Sequence, residues 1–173
     1  METLVLGGGC FWCVEGALLG LKGVTQVIPG YSGGHTVSPT YEEVCSKKSG
    51  HAEVVEVSFD EKIIPRRILL EVFFTCHDPT QLNRQGNDIG PQYRSVVFYK
   101  NEDERIDIEE VIGYLQQNFV DDIVTEVSPL INFFIAEEIH HNYFANNPNN
   151  PYCAMVVSPK ISKTRAKHAS LYK

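Results

Sequence analysis

Two cysteines with two residues between them stand in Gly7-Gly8-Gly9-Cys10-Phe11-Trp12-Cys13-Val14-Glu15-Gly16. At that spacing two sulfurs meet across one helical turn, as in redox pairs. A short apolar run, Thr3 to Leu6, precedes the glycines, and Phe11, Val14, Leu18 and Leu21 recur on one helical face. The pattern predicts a strand, a tight glycine turn and a helix beginning at about Cys10. A thiol in the first helical turn lies beside unpaired backbone N–H groups and the positive end of the helix dipole. Both favour thiolate, the nucleophilic form. Phe11 and Trp12, the only tryptophan, would wall an apolar substrate pocket. The competing reading is a core Phe-Trp pair with two inert buried cysteines.

Glu53 is the candidate acid. Ala52 to Phe59 alternates as a strand, with Val55, Val57 and Phe59 on one face. Glu53 shares their parity and should point to the apolar side, where desolvation raises a carboxyl pKa. The alternative is a strand-end glutamate reaching solvent. Other chemistries fit less well. A structural zinc site needs four convergent ligands, commonly from two close pairs. Here there is one cysteine pair, and the adjacent His140 and His141 would face different ways on a helix, so no metal is expected. There is no Gly-x-Ser-x-Gly elbow, dinucleotide fingerprint or phosphate loop. Thiol redox chemistry is left.

The elements that must position these residues follow from the same reading. Val24 to Tyr31 reads as a strand closed by the glycine-rich Gly30–His35, and Thr40-Tyr41-Glu42-Glu43 as a capping box opening a short helix. Pro65 suits the first turn of a helix through Phe73. Residues 77–94 read as a long polar loop. Ser95 to Lys100 is a strand, Glu102 to Phe119 a helix, Val124 to Val127 and Ile131 to Ile135 short strands, and Ala136 to Asn146 a helix. Residues 149–173 show no strong periodicity and read as a basic C-terminal tail, a solvated end, the alternative being a segment that folds back over the acidic body or helps a partner dock. The expectation is one domain over 1–173: an α+β two-layer sandwich around a mixed, mostly antiparallel sheet, with a ferredoxin-like core and long loops.

Composition narrows the partners. The chain of 173 residues carries a net charge of −7, which argues against nucleic acid. Five of its 15 Lys/Arg lie from Lys160 onward with no acid among them. Residues 1–159 therefore hold ten bases against 22 acids, a net of −12. No apolar run approaches the roughly 20 residues of a membrane span. Five cysteines (10, 13, 45, 76 and 153) form no regular disulfide framework. With a strand starting at once and no room for a signal peptide, a reducing compartment, the cytoplasm, is expected.

Taken together, the motifs resemble those of the peptide methionine sulfoxide reductase A family. The resemblance rests on Gly9-Cys10-Phe11-Trp12-Cys13-Val14-Glu15, Gly30-Tyr31-Ser32-Gly33-Gly34, Pro39-Thr40-Tyr41-Glu42-Glu43-Val44 and Gly50-His51-Ala52-Glu53. It continues through His77-Asp78-Pro79-Thr80, Asn87-Asp88, Gln92-Tyr93-Arg94-Ser95 and Ala136-Glu137-Glu138-Ile139-His140-His141, where His141 replaces the usual Gln. The resemblance implies that Cys10 attacks the sulfoxide sulfur and that Glu53 protonates its oxygen. It further implies that Tyr41 and Tyr93 hydrogen-bond that oxygen, that Phe11 and Trp12 hold the S-methyl group, and that Asp88 helps arrange the site and its water.

The implied course is a Cys10 sulfenic acid, an intramolecular disulfide, and reduction by thioredoxin (dithiothreitol in vitro), with no bound cofactor. The substrate would be methionine-S-sulfoxide, free or in oxidised proteins, and the enzyme a monomer. Many family members have Gly at position 13 and resolve from a C-terminal cysteine. Cys13 is favoured here because it is local, with Cys153 or direct reduction of the sulfenic acid as alternatives. Two other functions stay open: a general protein disulfide reductase, and an inert module that binds methionine sulfoxide.

Overall fold

The computed structural model describes residues 1–173. Its elements, in order, are β1 (Glu2–Gly7), α1 (Phe11–Leu18), β2 (Val24–Ser32), α2 (Tyr41–Cys45), β3 (Ala52–Phe59) and α3 (Arg66–Thr75). A small hairpin of β4 (Arg84–Gln85) and β5 (Asp88–Ile89) follows, then β6 (Val96–Tyr99), α4 (Glu102–Leu115), β7 (Glu126–Pro129), β8 (Phe134–Ile135), α5 (Tyr143–Asn146) and α6 (Ser158–Lys167). The main sheet runs β7-β6-β1-β3-β2-β8. Only the β6–β7 pairing is parallel. The fold is α+β with a mixed, mostly antiparallel sheet.

Alternation along the strands separates the two faces of the sheet. Leu4, Leu6, Val55, Val57, Phe59 and Val97 join the helices in the main core, against Phe11, Val14, Leu18, Leu69, Leu70 and Phe73. On the other face Val5, Ala52, Val54, Val96 and Phe98 are covered by Leu130 and Phe133. The register sets Tyr31 opposite Glu53. Thr40 makes the capping box: it accepts from the Glu43 N–H at 3.1 Å while the Glu43 carboxylate accepts from the Thr40 N–H at 3.0 Å.

The second half departs from its sequence pattern. Pro65 is the N-cap of α3 rather than its first helical residue. Residues 77–94 contain the β4–β5 hairpin and a 3₁₀ turn over Pro91–Tyr93, so the segment is not uniformly loop. Ala136 to Asn146 is not one helix. A 3₁₀ turn over Glu138–His140 is followed by Asn142 in the left-handed region (φ 54°), and only then by α5. Asparagine tolerates that conformation, and the Asn142 N–H goes to the Glu15 carboxylate at 2.8 Å instead of to a helical carbonyl.

The largest departure is at the C-terminus. Residues 149–173 are neither irregular nor merely a solvated end: a π-helical turn over Cys153–Val157 leads into α6 and a 3₁₀ turn over Ala169–Leu171. Cys153, Val157, Ile161 and Tyr172 belong to the main core, and the Tyr172 hydroxyl donates to the Ala17 carbonyl. The buried residues Cys153, Val157, Ile161 and Thr164 are spaced for one helical face, yet a cysteine and a threonine among them weaken the apolar period. No helix is long and apolar enough to cross a membrane.

Ile161 seats its side chain against Gly16, where an added Cβ would lie 2.3 Å from Ile161 Cδ1. Ile161→Ala is expected to destabilise the chain by about 2–4 kcal/mol, the range for emptying a packed site. Lys163→Ala, on exposed α6 surface, should stay within about 0.5 kcal/mol of wild type. Urea denaturation of both variants checks the packing of this segment.

Candidate active site

The site grows out of the glycine turn between β1 and α1. Gly9 has φ +82°, which favours glycine. An added Cβ on Gly8 would meet the buried His77 ring at 2.6 Å. His77 holds its place through Nδ1 to the Phe73 carbonyl at 2.9 Å and Nε2 to Ser95 Oγ at 2.7 Å. Burial lowers its pKa to about 4, so the ring is neutral near pH 7. With the turn pinned, Cys10 becomes the extended N-cap of α1 (φ −63°, ψ 131°) and Phe11 the first helical residue.

The Phe11 N–H donates to Glu53 Oε1 at 3.1 Å. Glu53 follows the parity of Val55, Val57 and Phe59 and is 1% exposed. Its second oxygen, Oε2, is buried with no hydrogen-bond partner. Desolvation pushes its pKa up to about 8. The Phe11 N–H opposes that rise, and the charges of Asp88 and Cys13 add to it. The carboxyl is therefore mostly protonated at pH 7.

Cys10 differs from its sequence expectation. Burial pushes the thiol well above its ordinary value, aided by its hydrogen bond with Cys13 and by the Glu53 charge. The Trp12 backbone N–H pulls the other way. Cys13 is lowered, first by the hydrogen bond from Cys10 and also by Lys160. The helix start thus loses to desolvation, because Cys10 is only 5% exposed. The resting nucleophile candidate is a buried thiol.

Tyr41 and Tyr93 enter from different elements. Tyr41 opens α2, and its backbone N–H donates to Glu137 Oε2 at 2.9 Å. Tyr93 closes the 3₁₀ turn after Pro91, and its carbonyl accepts the Gly9 N–H at 3.2 Å. Burial raises both phenols, and both feel the charges of Glu53 and Cys10. They are proton donors at any ordinary pH. Phe11 is buried against Tyr31, Tyr41 and His140. Asp88 lies on β5 and accepts the Tyr152 hydroxyl. Cys153 is buried in the π-helical turn and feels the Cys13 charge.

Four neighbours of the site carried no periodic signal. His140 Nδ1 accepts the Trp12 indole N–H at 3.2 Å. Tyr143 lies flat on Trp12 (centroids 3.8 Å apart, 7° between planes), and Tyr152 meets the indole edge-on. Glu137 joins Tyr41 to the Tyr31 hydroxyl, which donates to Oε1 at 2.8 Å. His140 and Glu137 were visible only within the Ala136–His141 motif. No group of three or more His, Cys, Asp or Glu is placed to hold a metal ion. A cavity of about 530 Å³ lies elsewhere, lined by Lys160, Lys163 and Lys167 on one side and Cys76, His77 and Asp78 on the other. None of Cys10, Glu53, Tyr41 or Tyr93 lines it, so its size gives it no claim on the chemistry described here.

The family described as "Peptide methionine sulfoxide reductase" has a sequence model that matches residues 2–172. The chain belongs to that family. Peptide methionine sulfoxide reductase MsrA of Saccharolobus solfataricus is 52% identical over 163 residues, covering 94% of this chain and 92% of that one. Among solved structures, reduced Mxr1 from Saccharomyces cerevisiae is 32% identical with a TM-score of 0.83, covering 88% of each chain. Mxr1 has also been solved in complex with Trx2; at 23% identity and a TM-score of 0.59, over 82% of this chain and 84% of that one, this likeness carries the fold alone.

The raised Glu53 pKa has a consequence for stability in this reductase-family fold. From about 4.5 to about 8 the folded chain holds a proton at Glu53 that the unfolded chain has lost. This group's contribution to stability therefore falls as pH rises through that window and levels off above it. Glu53→Gln cannot ionise. Its melting temperature relative to wild type is expected to climb between about pH 5 and pH 8 and then stay constant. Thermal unfolding across that range measures it, and a pH-independent difference would contradict the buried neutral acid.

Proposed function

We propose that this chain reduces methionine-S-sulfoxide to methionine with Cys10 as nucleophile and Glu53 as general acid. The observation that carries the reading is the dry Glu53 carboxyl, held through Oε1 by the N–H of the residue after Cys10, with Oε2 unpartnered. A sulfoxide oxygen is the acceptor such a protonated oxygen lacks. Cys10 Sγ attacks the sulfoxide sulfur, Glu53 delivers a proton to the oxygen, and the S–O bond of the substrate breaks. With the proton from the Cys10 thiol that oxygen departs as water. Water then bonds to Cys10 Sγ as the Sγ–S bond to the substrate breaks, the thioether leaves, and the proton this water gives up returns to Glu53, leaving Cys10 as a sulfenic acid. The Tyr41 and Tyr93 hydroxyls stabilise the oxygen as charge develops. Phe11 and Trp12 enclose the S-methyl group, and Asp88 arranges the mouth of the site with Tyr152.

Cys13 then attacks the sulfenic sulfur, water departs, and a Cys10–Cys13 disulfide forms. Thioredoxin reduces it by thiol–disulfide exchange, so no bound cofactor is required. The nearness of Cys13 to Cys10, whose carbonyl accepts the Cys13 N–H at 3.1 Å, supports Cys13 over Cys153. Free methionine sulfoxide and oxidised proteins are both substrates in this reading. The chain acts as a single-domain monomer without nucleic acid or membrane. Its odd, unpatterned cysteines suit a reducing cytoplasm. The β6-β1-β3-β2 order, with α1 and α3 as crossovers, supports the reading of a two-layer ferredoxin-like core with long site-bearing loops.

With dithiothreitol as reductant, wild type should turn over the S epimer alone, and Cys10→Ser should not turn over either. Insulin reduction without sulfoxide turnover would favour a disulfide reductase, and binding without turnover an inert module. Glu53→Gln should lower kcat by about 10²–10⁴-fold, the range for losing a general acid. Wild-type kcat/KM should fall as pH rises through about 8, where Glu53 loses its proton, and the variant should lack that fall. Peptide mapping after one turnover without reductant should find Cys10 joined to Cys13; a Cys10–Cys153 bridge would overturn the local resolution step.

A further inference from the structure

Glu15 is a buried carboxylate that the sulfoxide chemistry leaves unused. It lies on α1 at 2% exposure, three residues after Trp12, so its side chain and the indole stand one turn apart on the same helix. Glu15 Oε2 accepts the Asn142 N–H at 2.8 Å, at the residue just before Tyr143. Asn142 is the left-handed residue that reverses the chain between His140 and α5. A helix of four residues has too little of its own hydrogen bonding to hold a direction. The hook from α1 supplies what α5 lacks, and it lies beside the two contacts that fix Trp12: the Tyr143 stack and the bond to His140.

We propose that Glu15 is a positioning residue for the substrate pocket, holding the 140–143 turn so that Tyr143 lies flat against Trp12. It touches neither substrate nor the reacting sulfur. Its effect on the reaction passes through the indole that encloses the S-methyl group, and that half of the proposal rests on the function proposed above. A core glutamate serving only stability would have no reason to act on Trp12.

Because Trp12 is the only tryptophan, native-state emission reports its stack directly. Emission and kinetics are compared for wild type, Glu15→Ala, Glu15→Gln and Tyr143→Leu. Glu15→Ala should move the emission toward that of Tyr143→Leu and raise KM for methionine-S-sulfoxide about two- to tenfold, the scale of one lost aromatic pair. The loss should fall on KM more than on kcat. Glu15→Gln, which keeps an acceptor for the Asn142 N–H, should restore both readouts most of the way. If Glu15→Ala does not fold, Glu15→Asp, whose carboxylate is withdrawn by one methylene, must show the same shifts. Lower thermal stability with unchanged emission and KM would overturn the proposal. An emission shift with unchanged KM would overturn its part in substrate binding. If wild type shows no sulfoxide turnover, the proposed function fails, while the emission series still decides whether Glu15 holds the stack.

Discussion

The hydrogen bond from the Phe11 N–H to Glu53 Oε1 ties together the three elements that make the site. It joins the start of α1 to the start of β3, across a glycine turn that must fit between them. Gly7 has no room for a side chain there, since an added Cβ would sit 2.5 Å from the Glu53 carbonyl. The bond needs a dry environment to matter, and the same dryness governs the protonation of everything nearby. A buried carboxylate and a buried thiolate side by side would place two anions in one low-dielectric space, which is strongly unfavourable. The free site therefore keeps protons on both groups. That inverts the usual account of a helix-start cysteine, in which the helix end supplies the activation. An ionised Glu53 would raise the cost of negative charge on Cys10 further, so the thiol can lose its proton only where that charge is neutralised as it forms.

The phenols are set by backbone ties more than by their own hydroxyls. Tyr41 is fixed because its N–H ends on Glu137, which also accepts the buried Tyr31 hydroxyl. Tyr93 is fixed because its carbonyl takes the Gly9 N–H, one residue before Cys10. Tyr93 is thus registered to the turn that carries the sulfur, and Tyr41, through Glu137, to Tyr31 on β2. A site with both hydroxyls satisfied internally would have to break those bonds before stabilising an oxygen.

What could be read from the sequence was what local spacing encodes. The alternation of Ala52–Phe59 located Glu53 on the apolar face, and Thr40 with Glu43 located the start of α2. The protonation of Cys10 was misjudged because helix-end electrostatics is local and visible, whereas its burial is tertiary and is not. His140, Tyr143 and Tyr152 were missed as wall residues for the same reason: the Trp12–His140 bond spans 128 residues. The C-terminal helix escaped notice because its inward face includes Cys153 and Thr164. A strong local pattern over Ala136–Asn146 also lost to one long-range bond, from Asn142 to Glu15, which breaks the segment into a 3₁₀ turn and a single helical turn.

The C-terminal segment bears on which cysteine closes the disulfide. Cys153 lies in a turn whose neighbours are tied down: Tyr152 donates to Asp88 and meets Trp12 edge-on, and Val157 belongs to the main core. A route to Cys10 that drew Val157 out would cost about 1.5–3 kcal/mol for that side chain alone, and about 1 kcal/mol more for each hydrogen bond given up. Joining Cys13 to Cys10 asks less. The two residues stand within the first turn of α1, with the Cys13 N–H on the Cys10 carbonyl at 3.1 Å, and that turn would have to loosen to reach disulfide geometry. In the function proposed above, the same loosening would draw the Phe11 N–H away from Glu53 after the proton is delivered. An oxidised site would then hold its carboxylate without that donor, and reduction of the disulfide would restore the bond and the acid together.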